Sequence, residues 1–109
     1  MLIDSLSRML KKSRDNHLFT LLAETFQAMG DTSRIQIIWA LSIKKEMSVG
    51  VIAKLLDMSQ PAVSHHLRTL RNLKLVRVRK DGRTSHYSLD DIHIETLLKE
   101  GIQHVKELQ

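Results

Sequence analysis

The chain has 109 residues, room for one small domain built on one hydrophobic core. Seventeen Lys and Arg against twelve Asp and Glu leave it at +5, aromatics are only 4%, and no run approaches the ~18 consecutive apolar residues of a membrane span. With no cysteine, disulfides, thiolate metal sites, cysteine nucleophiles and thiol redox sensing are excluded.

The opening MLIDSLSRMLKK lacks a continuous apolar stretch and a small-residue cleavage site, so no signal peptide is expected, and a cytoplasmic location is. Leu2, Ile3, Leu6, Met9 and Leu10 keep helical spacing, and Ser13 to Asn16 offer a break. A second helix is predicted from about His17 to Met29, stopped by Gly30. Asp31 or Thr32 caps the next, with Ile35, Ile38, Trp39 and Leu41 as its buried face. Lys44 to Met47 read as a polar connection. Ser48 caps a short helix striped with Val51, Ile52, Leu55 and Leu56. Ser59 and Pro61 open another, which Val63, Leu67, Leu70 and Leu73 hold to the core; Pro fits there because first-turn N–H groups lack intrahelical partners. Leu75 to Lys80 and Thr84 to Leu89 read as a two-stranded hairpin with Asp81-Gly82 as its turn. Asp90 or Asp91 starts a last amphipathic helix.

Five to six helices with one β-hairpin make a mainly α, winged helix-turn-helix domain over residues 1–109. Residues 1–15 form a variable helix or arm, 48–73 the helix-turn-helix, 75–89 the wing and 90–109 the terminal helix. Charge supports a polyanionic partner. Residues 59–83 hold seven cations and one anion, Asp81, so this stretch carries +6 and the other 84 residues sum to −1. Gln60, Ser64, His65 and Arg68 lie opposite the buried stripe of their helix, where Gln can bond adenine in bidentate fashion and Arg can reach guanine or phosphate. The helix starts at Ser48, Val49 and Ser59, with the wing-tip residues Arg79, Lys80 and Arg83, complete the candidate DNA contacts. No clustered nucleophile, base or open metal position marks an enzyme.

Phe26–Arg34, Ser59-Gln60-Pro61-Ala62-Val63-Ser64-His65-His66-Leu67-Arg68, Leu75-Val76, Gly82 and Tyr87-Ser88-Leu89 occur in the order seen in a known family. From Phe26 to His104 the chain resembles the ArsR/SmtB family of prokaryotic repressors. Pro61 departs from relatives that carry a small polar residue there. The resemblance implies a homodimer on double-stranded operator DNA with an imperfect inverted repeat.

Asp91, His93, His104 and Glu107 on the last helix are a zinc-competent donor set. One helix cannot bring them together: His93 and His104 are about 16 Å apart along its axis. An antiparallel pair of such helices can. Asp91 opposite Glu107, and His93 opposite His104, both place a two-fold axis near residues 98 and 99. Eleven residues return to within about 20° of the starting azimuth, so both His share a stripe. Gly101 then faces Leu97, where close helix approach accounts for a mid-helix Gly. His17 is expected at the surface and His86 in the wing. His65 and His66, neighbours about 100° apart, do not chelate one ion. D-x-H followed by H-x-x-E also resembles the terminal-helix zinc site of the SmtB branch, implying a response to Zn2+, with Co2+ as a mimic. Coupling to DNA is expected through His104 and a backbone carbonyl near residues 72–74. The alternative is a regulator of the same family without metal sensing.

Overall fold

The computed structural model describes residues 2–15 and 17–109. Its elements run α1 (Leu2–Asp15), α2 (Leu18–Met29), α3 (Thr32–Ile43), β1 (Met47–Ser48), α4 (Val49–Leu56), α5 (Gln60–Asn72), β2 (Val76–Asp81), β3 (Thr84–Leu89) and α6 (Ile92–Lys106). Six helices and a small antiparallel sheet form the expected winged helix-turn-helix.

Side-chain caps set the helix starts. The Asp31 carboxylate accepts the Arg34 N–H at 3.0 Å, Ser48 Oγ that of Val51 at 3.3 Å, and Ser59 Oγ that of Ala62 at 3.2 Å. Asp91 Oδ1 accepts from His93 N at 2.8 Å. Each supplies a partner to a first-turn donor that has none within its helix. Helices α4 and α5 also end alike, on a left-handed residue followed by an N–H returning to the last turn. Asp57 has φ 54° and Met58 N donates to Ala53 O at 2.9 Å; Lys74 has φ 56° and Leu75 N donates to Leu70 O at 2.9 Å.

The core is Ile37, Ile38 and Leu41 of α3, Ile52 of α4, Val63, Leu67 and Leu70 of α5, then Leu75 and Val76. Ile94 and Leu98 bring α6 onto it. Helix α1 packs on α2, and its residues 2–12 are exposed.

Several local expectations change. Ser13 to Asp15 continue α1 rather than breaking it, and Asn16 lies outside the described residues. Gly30 ends α2 with φ −77°, not in the left-handed region. Its value there is space, because a Cβ would come 3.2 Å from Phe26 O. Ile35 and Trp39 face outward (38% and 44% exposed) while Ile37 and Ala40 are buried, because α3 is apolar nearly all round and its period does not select one stripe. On α4, Ile52 and Ala53 are buried and Val51 and Leu55 are exposed. Met47 and Ser48 are a short strand paired with Tyr87 and His86, making the sheet three-stranded in the order β1-β3-β2. The hairpin loop is Gly82-Arg83 rather than Asp81-Gly82, since Asp81 pairs with Thr84. Gly82 holds φ +61° at the first loop position, where an L side chain is disfavoured.

Candidate nucleic-acid interface and metal-ligand helix

Asp57, Met58 and Ser59 turn α4 into α5. With Val63, Leu67 and Leu70 buried, α5 turns Gln60, His65, Arg68 and Arg71 outward, and Ser64 is half-buried. Gln60 reaches back over α4: its Nε2 lies 3.6 Å from where a Gly50 Cβ would stand. Ser59 is exposed, and its capping oxygen leaves its O–H free to donate outward. Ser48 is a half-buried cap, and Val49 is half-buried against the core.

Pleating of the wing separates its cations. Val78 and Lys80 of β2, opposite Tyr87 and Ser85 of β3, face α5 across a cleft of about 350 Å³ that Ser64, Arg68, Arg71 and Asn72 complete. Arg77 and Arg79 alternate to the other face. Arg77 Nε donates to Ser88 Oγ at 3.4 Å, and Arg79 donates through Nη2 to Glu46 Oε1 at 2.8 Å and through Nε to Oε2 at 3.2 Å. That hydrogen bond, and the guanidinium charge, hold the Glu46 carboxyl below its ordinary range against desolvation. Of the three expected wing-tip cations, Lys80 and Arg83 are exposed without such a partner among the described residues, while Arg79 is engaged. Arg71, Asn72, Ser85 and Tyr87 are not among the DNA contacts expected from the sequence. Their signal was there: residues 68 and 71–72 follow 64 at helical spacing, and 85 and 87 share a strand face.

The four metal-ligand candidates lie at opposite ends of α6, all exposed. Asp91 and His93 are in contact, Nδ1 against Oδ1. An Nδ1–H donated there leaves the imidazole Nε2 and the second carboxylate oxygen as available donors. His104 and Glu107 follow one turn apart at the other end. Among the described residues, no three His, Asp or Glu of one chain cluster closely enough to hold a metal ion. The donor chemistry fits zinc, but as two half-sites.

His104 shares a second cleft, about 750 Å³ and almost entirely apolar, with Phe26, Met29, Gly30, Ile35, Leu97 and Gly101. Among the hydrogen bonds of the described residues none joins it to residues 72–74; its neighbours are the end of α2. Of the other histidines, His17 precedes α2 with φ 56°, and His86 is half-buried in β3. The His65 and His66 ring centroids are 6.1 Å apart, and His66 Nδ1 is buried without a hydrogen-bond partner in the structure.

Residues 31–78 match the family described as bacterial regulatory protein, arsR family. The chain is 37% identical over 87 residues to a cadmium resistance transcriptional regulatory protein CadC homolog of Staphylococcus aureus, covering 80% of this chain and 72% of the relative. It is 41% identical over 86 residues to a transcriptional repressor SmtB homolog of Synechocystis, covering 79% and 64%. The solution structure of a homodimeric winged helix-turn-helix DNA-binding domain from Mycobacterium bovis superposes with a TM-score of 0.76 at 26% identity, over 86% of this chain and 85% of that one. With its six helices, its small sheet and these relatives, the chain belongs to the arsR family of bacterial regulatory proteins, transcriptional regulators and not enzymes.

Proposed function

We propose that the protein is a zinc-responsive repressor that holds operator DNA as a homodimer and releases it, or binds it more weakly, when metal is bound between its terminal helices. The observation that carries this reading is the placement of one donor pair at each end of α6, Asp91 with His93 and His104 with Glu107, on a helix that cannot close a site alone.

Two such helices running antiparallel about a two-fold axis bring Asp91 and His93 of one protomer to His104 and Glu107 of its partner, giving two sites per dimer. When bound, zinc supplies a cross-link that fixes how the two α6 helices sit. The protein's own residues do the rest. Ile94 and Leu98 tie α6 to the core that also carries α5, so the α6 pair sets the spacing of two recognition helices. DNA presents half-sites about 34 Å apart, and a dimer held at another spacing binds poorly. The cleft beside His104 makes the end of α2 a contact through which α6 can move the domain.

Gln60, Ser64, His65 and Arg68 are the candidate base readers, with Ser48, Val49 and Ser59 at the helix starts and Lys80 and Arg83 on the wing. A regulator without metal sensing would keep this half of the account and lose the other.

Titration of operator duplex with and without zinc tests the proposal. Zinc should lower operator affinity, and operator should lower zinc affinity by the same factor. His93→Ala and His104→Ala should each abolish the zinc response and keep metal-free DNA binding. Equal operator affinity with and without zinc would leave only the metal-independent regulator.

A further inference from the structure

The four residues that lead into α4 each hold a different part of the molecule. Lys45 Nζ donates to Glu95 Oε2 of α6 at 3.4 Å. The Glu46 carboxylate accepts from Arg79 of β2 through both oxygens, at 2.8 and 3.2 Å. Met47 is buried in the core and pairs with Tyr87 of β3, and Ser48 Oγ caps α4 by accepting the Val51 N–H at 3.3 Å. Residues 45–48 therefore join the terminal helix, both long strands of the wing and the first helix of the helix-turn-helix within one short stretch of backbone. Among the described residues, Lys45–Glu95 is the one ion pair between α6 and another element; Asp91 with His93 and Glu95 with Lys99 stay on α6 and its cap. The pair stands at the end of α6 that carries Asp91 and His93. Glu95 lies two residues past His93, with its side chain only 16% exposed and both oxygens engaged.

We propose that residues 45–48 are a relay that carries the state of this end of α6 to the wing and to the start of α4, with Glu95, Lys45 and Glu46 as positioning residues. The proposal rests on the zinc-responsive reading and adds to it a route at the opposite end of α6 from His104. Holding Asp91 and His93 in place holds Glu95, and Lys45 follows through the ion pair. Glu46 and the pairing of β1 with β3 then pass the shift to the wing, and Ser48 passes it to α4. Packed and hydrogen-bonded contacts that run without a gap between two sites are able to carry such coupling. None of the three positioning residues is a metal ligand or a DNA contact, so their loss should weaken communication rather than binding.

The test measures operator affinity with and without zinc, and zinc affinity with and without operator, on the full chain. In the wild-type protein one coupling factor should appear in both titrations. Lys45→Gln, Glu95→Gln and Glu46→Gln should each reduce that factor by about threefold, the scale of one exposed ion pair, while zinc affinity of the DNA-free protein stays as in the wild type. Lys45→Arg should keep the factor, and so should Lys99→Gln, which removes the other partner of Glu95 but leaves the link to residue 45. Lys45→Gln with Glu46→Gln should lose no more than the worse single variant, because links in series fail together. Hydrogen exchange of the wing amides, residues 76–89, should respond to zinc in the wild type and not in Lys45→Gln, a readout that needs no DNA. Thermal melts identify variants that are folded. A full wild-type factor in folded Lys45→Gln and Glu95→Gln proteins overturns the relay and leaves the zinc-responsive reading standing. Additive losses in the double variant, an equal loss from Lys99→Gln, or wing amides that still respond to zinc in Lys45→Gln overturn it as well. A wild-type protein whose operator affinity ignores zinc overturns the zinc-responsive reading itself.

Discussion

Asp57 shows how a single residue can be fitted to a site without being the best choice for it. The turn between α4 and α5 requires a left-handed residue, and a carboxylate stands there, at a helix C-terminus where negative charge is disfavoured. Asp57→Gly should stabilise the protein by about 1 kcal/mol and raise its melting temperature, because glycine enters that region without steric cost. A lower melting temperature would mean that Asp57 is used for more than the turn. Glu46 gives a pH prediction. Its folded value lies below the ordinary 4.5 because Arg79 donates to it. The sign is that of a depressed carboxylate: the stabilisation is complete above pH 4.5 and is lost as the pH falls through the lower folded value. Glu46→Gln should flatten that part of the stability profile measured by thermal melts, and a profile that keeps its slope would show that the pair contributes little. At this scale, caps were the most legible feature: Ser48, Ser59 and an Asp before α3 and α6 can be read because a short acceptor before an apolar period has a local purpose. Arg79 was less so. Which way a strand residue points depends on register, and the register follows from a loop that sits one residue later than its Asp-Gly signal suggested.

At the scale of elements, helices and wing follow from periodicity and punctuation, while faces and short pairings do not. Helix α3 carries apolar residues around most of its circumference, so nothing local says that Trp39 faces out and Ile37 faces in. Strand β1 has two residues and exists only because β3 offers it a partner, a long-range fact with no local trace. Helix α6 is the element on which the proposed function turns, and Gly101 in its middle tests it. Among the described residues nothing beyond its chain neighbours and its own helix backbone lies within 4 Å of a Cβ added there, so packing within the protomer does not call for glycine. If α6 stood alone, Gly101→Ala would only stabilise its helix, by about 1 kcal/mol. With two α6 helices in close approach, the same change should weaken the dimer by about tenfold or more, read by sedimentation equilibrium. Unchanged dimerisation with a higher melting temperature would contradict that approach.

The whole molecule is not shaped like a finished domain. Its radius of gyration is 16.9 Å against about 13 Å for a compact chain of this length, with extents of 57 × 37 × 21 Å. Helix α1 stands out from the body with Leu2, Ile3, Leu6, Met9 and Leu10 exposed, and the apolar cleft bounded by α2, α3 and α6 lies open. A 14-residue helix is marginal by itself, and apolar surface on this scale is ordinarily covered by a partner. No helix among the described residues is long and apolar enough to cross a membrane. In the proposed dimer a second copy of the chain covers this surface and completes the two donor pairs in one step, so that a single protomer carries each site only by half. The sequence could suggest that completion because the spacing of the two donor pairs along α6 fits a single two-fold axis, whereas metal selectivity depends on geometry between protomers that donor spacing does not encode. The most direct measurement is complementation between damaged chains. His93→Ala and His104→Ala proteins, each unable to bind zinc tightly alone, are mixed, allowed to exchange protomers and titrated with zinc. A mixed dimer has one site with both histidines lost and one with both intact, so tight binding should return to about a quarter of the wild-type sites. No recovery in a mixture shown to have exchanged would contradict a site shared between protomers.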